Sequence, residues 1–444
     1  MERQKVISQN PWWGENQDAD LLSIQNLDIN IDRKQLPIEK NKIYLIKGPR
    51  RVGKTIFLKK IANLHKDKAL YLNLDSFINV RSKELIREIE SFINIKKDSI
   101  ILIDEIQNLK DGCSFLKAMA DLNILKETTV FVTGSDPRAI EECKQKLIGR
   151  SEEQSIMAPL TFRQFLLSVT SNKNPKLNKL LENLSLSLRE DNKTIKEKYL
   201  LLEPYTNDIE KYFDIYLLTG GFPETITSYF NKNTISKKYY EDLIQKIFEK
   251  LNKQKTISIL SVLNNALSSS INYSTITKKT EISTDTIKKY LFDLSELLLL
   301  FEVKEKQTNN LKKFYFKDPF IIHSINSYYS NLDPFTESLN YILNETTKGR
   351  LVENVVAGHL HNIYSHNLKY LFLNNKEIDF ILFNKAIEVK YRSTLIAPNK
   401  PIKDIEYLLL TRYPQSLAYL EQDKTLAIPT SSFLAMLELP QVFL

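Results

Sequence analysis

Cysteine is scarce in this chain: two residues, Cys113 and Cys143, in 444. Two thiols cannot build a disulfide framework or a cysteine-based metal cluster, which points to a reducing interior. The five histidines do not replace them, because the one close pair, His359 and His361, diverges at i and i+2 on a helix. No wholly apolar run, Leu297–Phe301 included, exceeds five residues. That is far short of the ~20 needed to span a bilayer. The opening residues lack the apolar segment of a secretory signal, so a cytoplasmic protein without a membrane partner is expected. Charge of one sign is also missing: 62 basic against 54 acidic residues leave +8, compatible with nucleic acid without requiring it. Glycine occurs only ten times, so where it falls is informative.

Two of the ten frame Gly48-Pro49-Arg50-Arg51-Val52-Gly53-Lys54-Thr55, between the apolar run Ile43–Ile46 and a helical stretch from Ile56. A strand, a glycine loop and a helix in that order form a phosphate cradle. Backbone amides from Gly48 to Ile56 would wrap the phosphates, Lys54 would reach the β and γ oxygens, and the Thr55 hydroxyl would ligate magnesium. Strands expected at 43–47, 69–75, 99–105, 128–133 and 155–159 alternate with helices such as 82–94 and 113–125. Their near-continuous apolar character predicts a parallel sheet covered on both faces.

Hydrolysis needs acids beyond the loop. Ile100-Ile101-Leu102-Ile103-Asp104-Glu105 places two at the carboxyl end of a buried strand, fifty residues after Lys54. Asp104 would hold hydrated magnesium and Glu105 would activate water. Thr133 or Ser135, at the end of the next strand, is placed to sense a γ-phosphate, and Arg150 to reach one in its own or a neighbouring subunit. The paired Trp12 and Trp13 are expected to pin the N-terminal arm rather than stack on a base.

Four units are expected: 1–160 as the ATPase with its arm, 161–255 as a helical lid, 256–335 as a winged helix-turn-helix, and 336–444 as an α/β domain. In the third, Ser283 caps a recognition helix and strands 298–304 and 313–317 flank the turn Thr308-Asn309-Asn310. Lys288 and Lys289 on that helix, with Lys312 and Lys313 in the wing, form a modest footprint, since 271–318 holds nine lysines against seven acids. In the fourth unit, taking Asn384-Lys385 as the turn pairs Asp379 with Lys390 and Ile381 with Glu388. Alternation then gathers Asp379, Glu388 and Lys390 on one face, with Ile378, Phe380, Leu382, Ile387 and Val389 on the other. Two carboxylates, a lysine and Glu353 from the preceding helix suit metal-assisted phosphodiester cleavage. An ordinary hairpin with a solvated polar face has the same spacing.

These marks, with Asn10-Pro11-Trp12-Trp13, Pro159-Leu160-Thr161-Phe162 and Gly220-Gly221-Phe222-Pro223, resemble prokaryotic, largely archaeal-type ATPases. In that family an AAA+ or STAND-like module of the additional-strand class precedes a winged helix and a restriction-endonuclease-like domain of the PD-(D/E)XK kind. The resemblance implies ATP and Mg²⁺ at Lys54, Thr55, Asp104 and Glu105, and a nuclease-like core at Asp379, Glu388 and Lys390. The leading Pro-Asp of that motif reads Ile378-Asp379 here. A Mg-dependent ATPase acting on nucleic acid, DNA foremost, is the first expectation, and a homo-oligomer is compatible with it. The alternative is an ATP-controlled signalling or scaffold switch that binds a protein partner and carries an inactive nuclease-like domain.

Overall fold

A computed structural model describes residues 2–14, 16–25, 29–77, 81–122, 124–308, 311–373, 376–392, 402, 405–412 and 424–440. Five strands open the fold: β1 (Lys42–Lys47), β2 (Ala69–Asn73), β3 (Ile100–Asp104), β4 (Thr129–Gly134) and β5 (Glu152–Ile156). All pair in parallel, in the order β2-β3-β4-β1-β5. β4 therefore lies between the loop-bearing β1 and the acid-bearing β3. Both faces are buried, as the continuous apolar strands require: Tyr44, Ile46 and Phe131 pack on one side, Leu45, Ile101 and Val132 on the other.

The arm is fastened to the β2 edge. Asn10 donates to the Tyr71 carbonyl at 2.9 Å and accepts from its N–H at 2.8 Å. Trp12 is buried edge-on to Tyr71, and Trp13 stacks on Phe92 while its indole N–H reaches the Ala69 carbonyl at 2.9 Å. The tryptophans thus pack, as expected. The cysteines depart from expectation: Cys113 and Cys143, on helices Gly112–Asp121 and Pro137–Leu147, are joined in a disulfide. The reason is proximity, since the two helices lie side by side and bring the Cα atoms to 4.5 Å.

Helices from Phe162 to Lys250 follow, and then three helices, Lys253–Asn265, Tyr273–Thr280 and Thr284–Glu296, the last capped by Ser283. The hairpin after them, β6 (Leu300–Glu305) and β7 (Lys312–Phe316), does not stand alone. It joins β8 (Lys369–Leu373), β9 (Lys376–Leu382), β10 (Lys385–Lys390), β11 (Glu406–Thr411) and β12 (Thr425–Pro429) in one seven-stranded sheet, β12-β11-β10-β9-β8-β6-β7. The boundary expected at 335/336 therefore runs through a single sheet. The β6 edge, which an isolated wing would leave open, is met by β8 through Lys304–Lys369 and Glu305–Tyr370. Of the expected wing turn, Asn309 and Asn310 lie outside the described residues. Helix Glu345–Tyr364 packs on β7 and β10. Among the described residues no helix is long and apolar enough to cross a membrane.

Two details of β9 and β10 differ from the spacing argument. The turn is Phe383-Asn384, with Phe383 at φ 52°, so Ile381 faces Ala386 and Phe380 faces Ile387. A bulge then breaks the alternation of β9: Lys369 faces Ile381 but Leu371 faces Ile378, two steps against three. Ile378 consequently packs with Ile381, Ala386 and Tyr407, away from Phe380 and Leu382.

Candidate functional site

The phosphate loop has the shape its glycines allow. A Cβ on Gly48 would sit 2.2 Å from the Met157 carbonyl, and Gly53 at φ 94° lies in the left-handed region that favours glycine. Helix Lys54–Leu64 begins there, so its first amides have no partner within the helix and face the loop. Lys54 is buried, and its ammonium rests on the carbonyls of Gly48 at 2.9 Å and Pro49 at 2.8 Å. Burial lowers its pKa, against the pull of Glu105 and Asp104.

Asp104, fully buried at the end of β3, is the focus of three hydroxyls. Thr55 donates to it at 2.7 Å, Tyr71 at 3.0 Å, and Thr133 from β4 donates to its other oxygen. Glu105 follows at φ 58°. Its carboxylate accepts from the Gln107 amide and, at 3.2 Å, from the Ser135 N–H; Gln107 also donates to the Ser135 hydroxyl at 3.0 Å. Burial pushes the Glu105 carboxyl upward, but Lys54, Gln107 and Ser135 outweigh it and hold the pKa below the ordinary value. Hard oxygens on Thr55 and Asp104, side by side next to a lysine, fit magnesium.

Two clefts flank the loop. An apolar one is lined by Ile29, Ile31, Val52, Phe57, Pro223 and Thr227, chemistry suited to a base. A polar one of about 180 Å³ is lined by Pro49, Arg50, Gln107, Ser135, Lys246 and Lys250. Arg51 is turned away, bonded to Glu224 and Asp242 and stacked over Tyr239. Arg150 is not drawn into this cluster; its guanidinium meets Asp121 at 2.7 Å.

The C-terminal residues gather differently from expectation. A cavity of about 590 Å³ is lined by Arg350, Glu353, Asp379, Lys390 and Arg392, among others, but not by Glu388. Lys390 joins the two acids, lying 3.3 Å from Glu388 and 3.9 Å from Asp379. Asp379 also accepts from the Val389 N–H at 2.8 Å. Lys313, expected in an exposed wing, is fully buried against Glu353, Glu377 and Asp379. Lys312 is likewise engaged, with Glu302 at 2.9 Å and the Tyr273 hydroxyl at 2.6 Å. Among the described residues no three His, Cys, Asp or Glu side chains are arranged to hold a metal ion. Glu353 and Asp379 line the cavity together, whereas Glu388 does not, and its Oε1 is buried without a hydrogen-bond partner.

Residues 40–166 match a family model described as an AAA domain. They carry the parallel sheet, the phosphate loop and Asp104-Glu105. Residues 210–333 match a domain of unknown function, DUF8612, whose span runs from helix Thr206–Thr219 past the hairpin β6–β7. The uncharacterized protein MJ1544 of Methanocaldococcus jannaschii is 29% identical over 405 residues, 86% of this chain and 80% of its own. A chain solved in work titled as the structural basis for katanin self-assembly is 17% identical, over 34% of this chain, at a TM-score of 0.23. That match spans 49% of the other chain.

Sequence reasoning passed over Tyr71 and Gln107, and placed Lys313 in the wing rather than among the C-terminal acids. Tyr71 was reachable: β2 pairs Asn73 with Asp104, so period two puts Tyr71 on the Asp104 face. Lys313 was not, because nothing local separates it from a solvent-facing wing lysine.

Proposed function

We propose that this chain is a magnesium-dependent ATPase working as a nucleotide-controlled switch, with the C-terminal sheet as an effector arm for nucleic acid. The observation that carries the ATPase half is the convergence of Thr55, Tyr71 and Thr133 on Asp104 beside an ionised Glu105. Lys54 supplies the charge that meets the phosphates, and Thr55 with Asp104 would hold magnesium, which neutralises phosphate charge when bound. Glu105, steadied by Gln107 and Ser135, orients the attacking water and takes its proton. Thr133, already on Asp104, or Ser135, which follows β4 and is bonded to Glu105, is the γ-phosphate sensor. Arg150, at the surface beside Asp121, suits a finger offered to a second copy better than one turned to its own loop.

For the effector, Lys288 and Lys289 are exposed on helix Thr284–Glu296, and Arg350, Lys390 and Arg392 line the C-terminal cavity. These cations support a winged-helix unit and a restriction-endonuclease-like domain that meet a phosphate backbone. A second function, a switch that grips a protein partner through an inactive nuclease-like domain, is favoured by the engagement of Lys312 and Lys313 within the fold. One set of measurements tests both halves: ATP turnover before and after EDTA, and filter retention of labelled DNA across a salt series. The first function requires turnover that EDTA stops and salt-sensitive retention that Lys288→Glu/Lys289→Glu weakens. Absent turnover contradicts the ATPase, turnover indifferent to EDTA contradicts its dependence on magnesium, and absent retention leaves the protein partner.

A further inference from the structure

Lys313 has a place that nucleotide hydrolysis does not use. It stands on β7, the outermost strand of the seven-stranded sheet, yet its side chain is fully buried. Its ammonium lies 2.6 Å from Glu377, 3.1 Å from Glu353 and 3.9 Å from Asp379. Helix Glu345–Tyr364 supplies one of these acids and β9 the other two. Burial disfavours the ammonium, but Glu353, Asp379 and Glu377 together outweigh it and keep the group charged.

Two of these acids have further partners. The Tyr315 hydroxyl donates to the same Glu353 oxygen at 2.7 Å, and the Val389 N–H holds the second Asp379 oxygen at 2.8 Å. A divalent ion needs several carboxylate oxygens free to converge on one point. Here that point is taken by a positive charge that the chain itself provides. Asn354, next to Glu353, accepts from the Phe316 N–H at 2.8 Å and donates to its carbonyl at 2.9 Å, so β7 is held along its length.

We propose that Lys313 stands in the place of a divalent cation, so that the cluster of Glu353, Glu377 and Asp379 binds no metal and instead ties β7 to β9 and the long helix. The assignment goes beyond the ATPase and does not depend on it. Replacing Lys313 removes the positive charge shared by Glu353, Glu377 and Asp379, and a divalent cation that draws the three together would restore it.

The test is Mn²⁺ binding to the full chain without nucleotide, read by electron paramagnetic resonance. Wild type and Asp379→Asn should bind Mn²⁺ equally, Lys313→Met should gain a site, and Lys313→Met/Asp379→Asn should lose that gain. Circular dichroism reports whether the variants fold; if Lys313→Met does not, the comparison of wild type with Asp379→Asn decides alone. A wild-type site that Asp379→Asn abolishes, or a folded Lys313→Met that takes up no additional Mn²⁺, overturns the assignment.

Discussion

Asp104 is where three elements meet, since Thr55 comes from the loop helix, Tyr71 from β2 and Thr133 from β4. Burying a carboxylate costs several kcal/mol unless its oxygens are bonded, and these three hydroxyls meet that requirement without a counter-charge in contact. His359 plays a comparable part between distant segments. Its Nδ1–H donates to the Val355 carbonyl at 2.7 Å, which leaves Nε2 to accept from the Phe162 N–H at 2.8 Å. Burial lowers its pKa to about 4, from 6.5 when exposed. Protonation would set a donor against the Phe162 N–H, so the folded state resists it. Between those values the unfolded chain binds the extra proton, and this residue's stabilisation is lost as pH falls from 6.5 towards 4. The unfolding free energy of wild type should therefore rise with pH more steeply than that of His359→Gln, by up to about 1.4 kcal/mol per pH unit. Denaturant titrations across that range measure it, and equal slopes would contradict it.

At the level of elements, the loop Gly220-Gly221 controls how the helical region meets the ATPase sheet. Gly220 ends helix Thr206–Thr219 at φ 63°. Gly221 accepts from the Leu160 N–H at 2.7 Å and donates to Asp318 at 2.8 Å. A Cβ on Gly221 would lie 2.1 Å from the Leu160 carbonyl oxygen, a backbone atom that cannot swing aside. Gly221→Ala should lower stability by roughly 3 kcal/mol and weaken ATP binding, because Pro223 two residues on lines the apolar cleft. Chemical denaturation with nucleotide titration checks this; a variant as stable as wild type would contradict it.

Elements were largely legible from the chain. Ile100–Asp104 and Val130–Thr133 could only be buried strands, and the glycine loop between an apolar run and a helix announced its own geometry. The β9 bulge was not legible, because Ile378, Phe380 and Leu382 alternate as an unbroken strand would. Asp379 therefore looked like a partner of Glu388 in one metal site, while its oxygens turn towards Lys313 and the Val389 N–H. Long-range pairing of β6 with β8 decided that arrangement, and no local spacing records it.

Across the whole molecule, the two sheets are joined by a short set of contacts. Pro223 lines the apolar cleft beside the loop, Gly221 is held by Asp318, and Asp318 lies just past Lys317 at the end of β7, whose Lys313 is fastened among the C-terminal acids. Burial raises the Asp318 carboxyl to about 7 despite the N–H groups of Gly221 and Phe320. Contiguity alone is not coupling; a nucleotide must change the joint for the C-terminal sheet to respond. Any response of the C-terminal sheet to nucleotide thus depends on the chemistry at Asp104 and Glu105.

That dependence makes one comparison decisive: single-turnover hydrolysis of ATP by wild type and Glu105→Gln, with equilibrium nucleotide binding measured on both. Glutamine keeps the size of the side chain and can still bond at Ser135, but it cannot accept a proton. The account predicts a rate lower by about 10²- to 10⁴-fold in Glu105→Gln with ATP affinity unchanged. Undiminished turnover in that variant would contradict it.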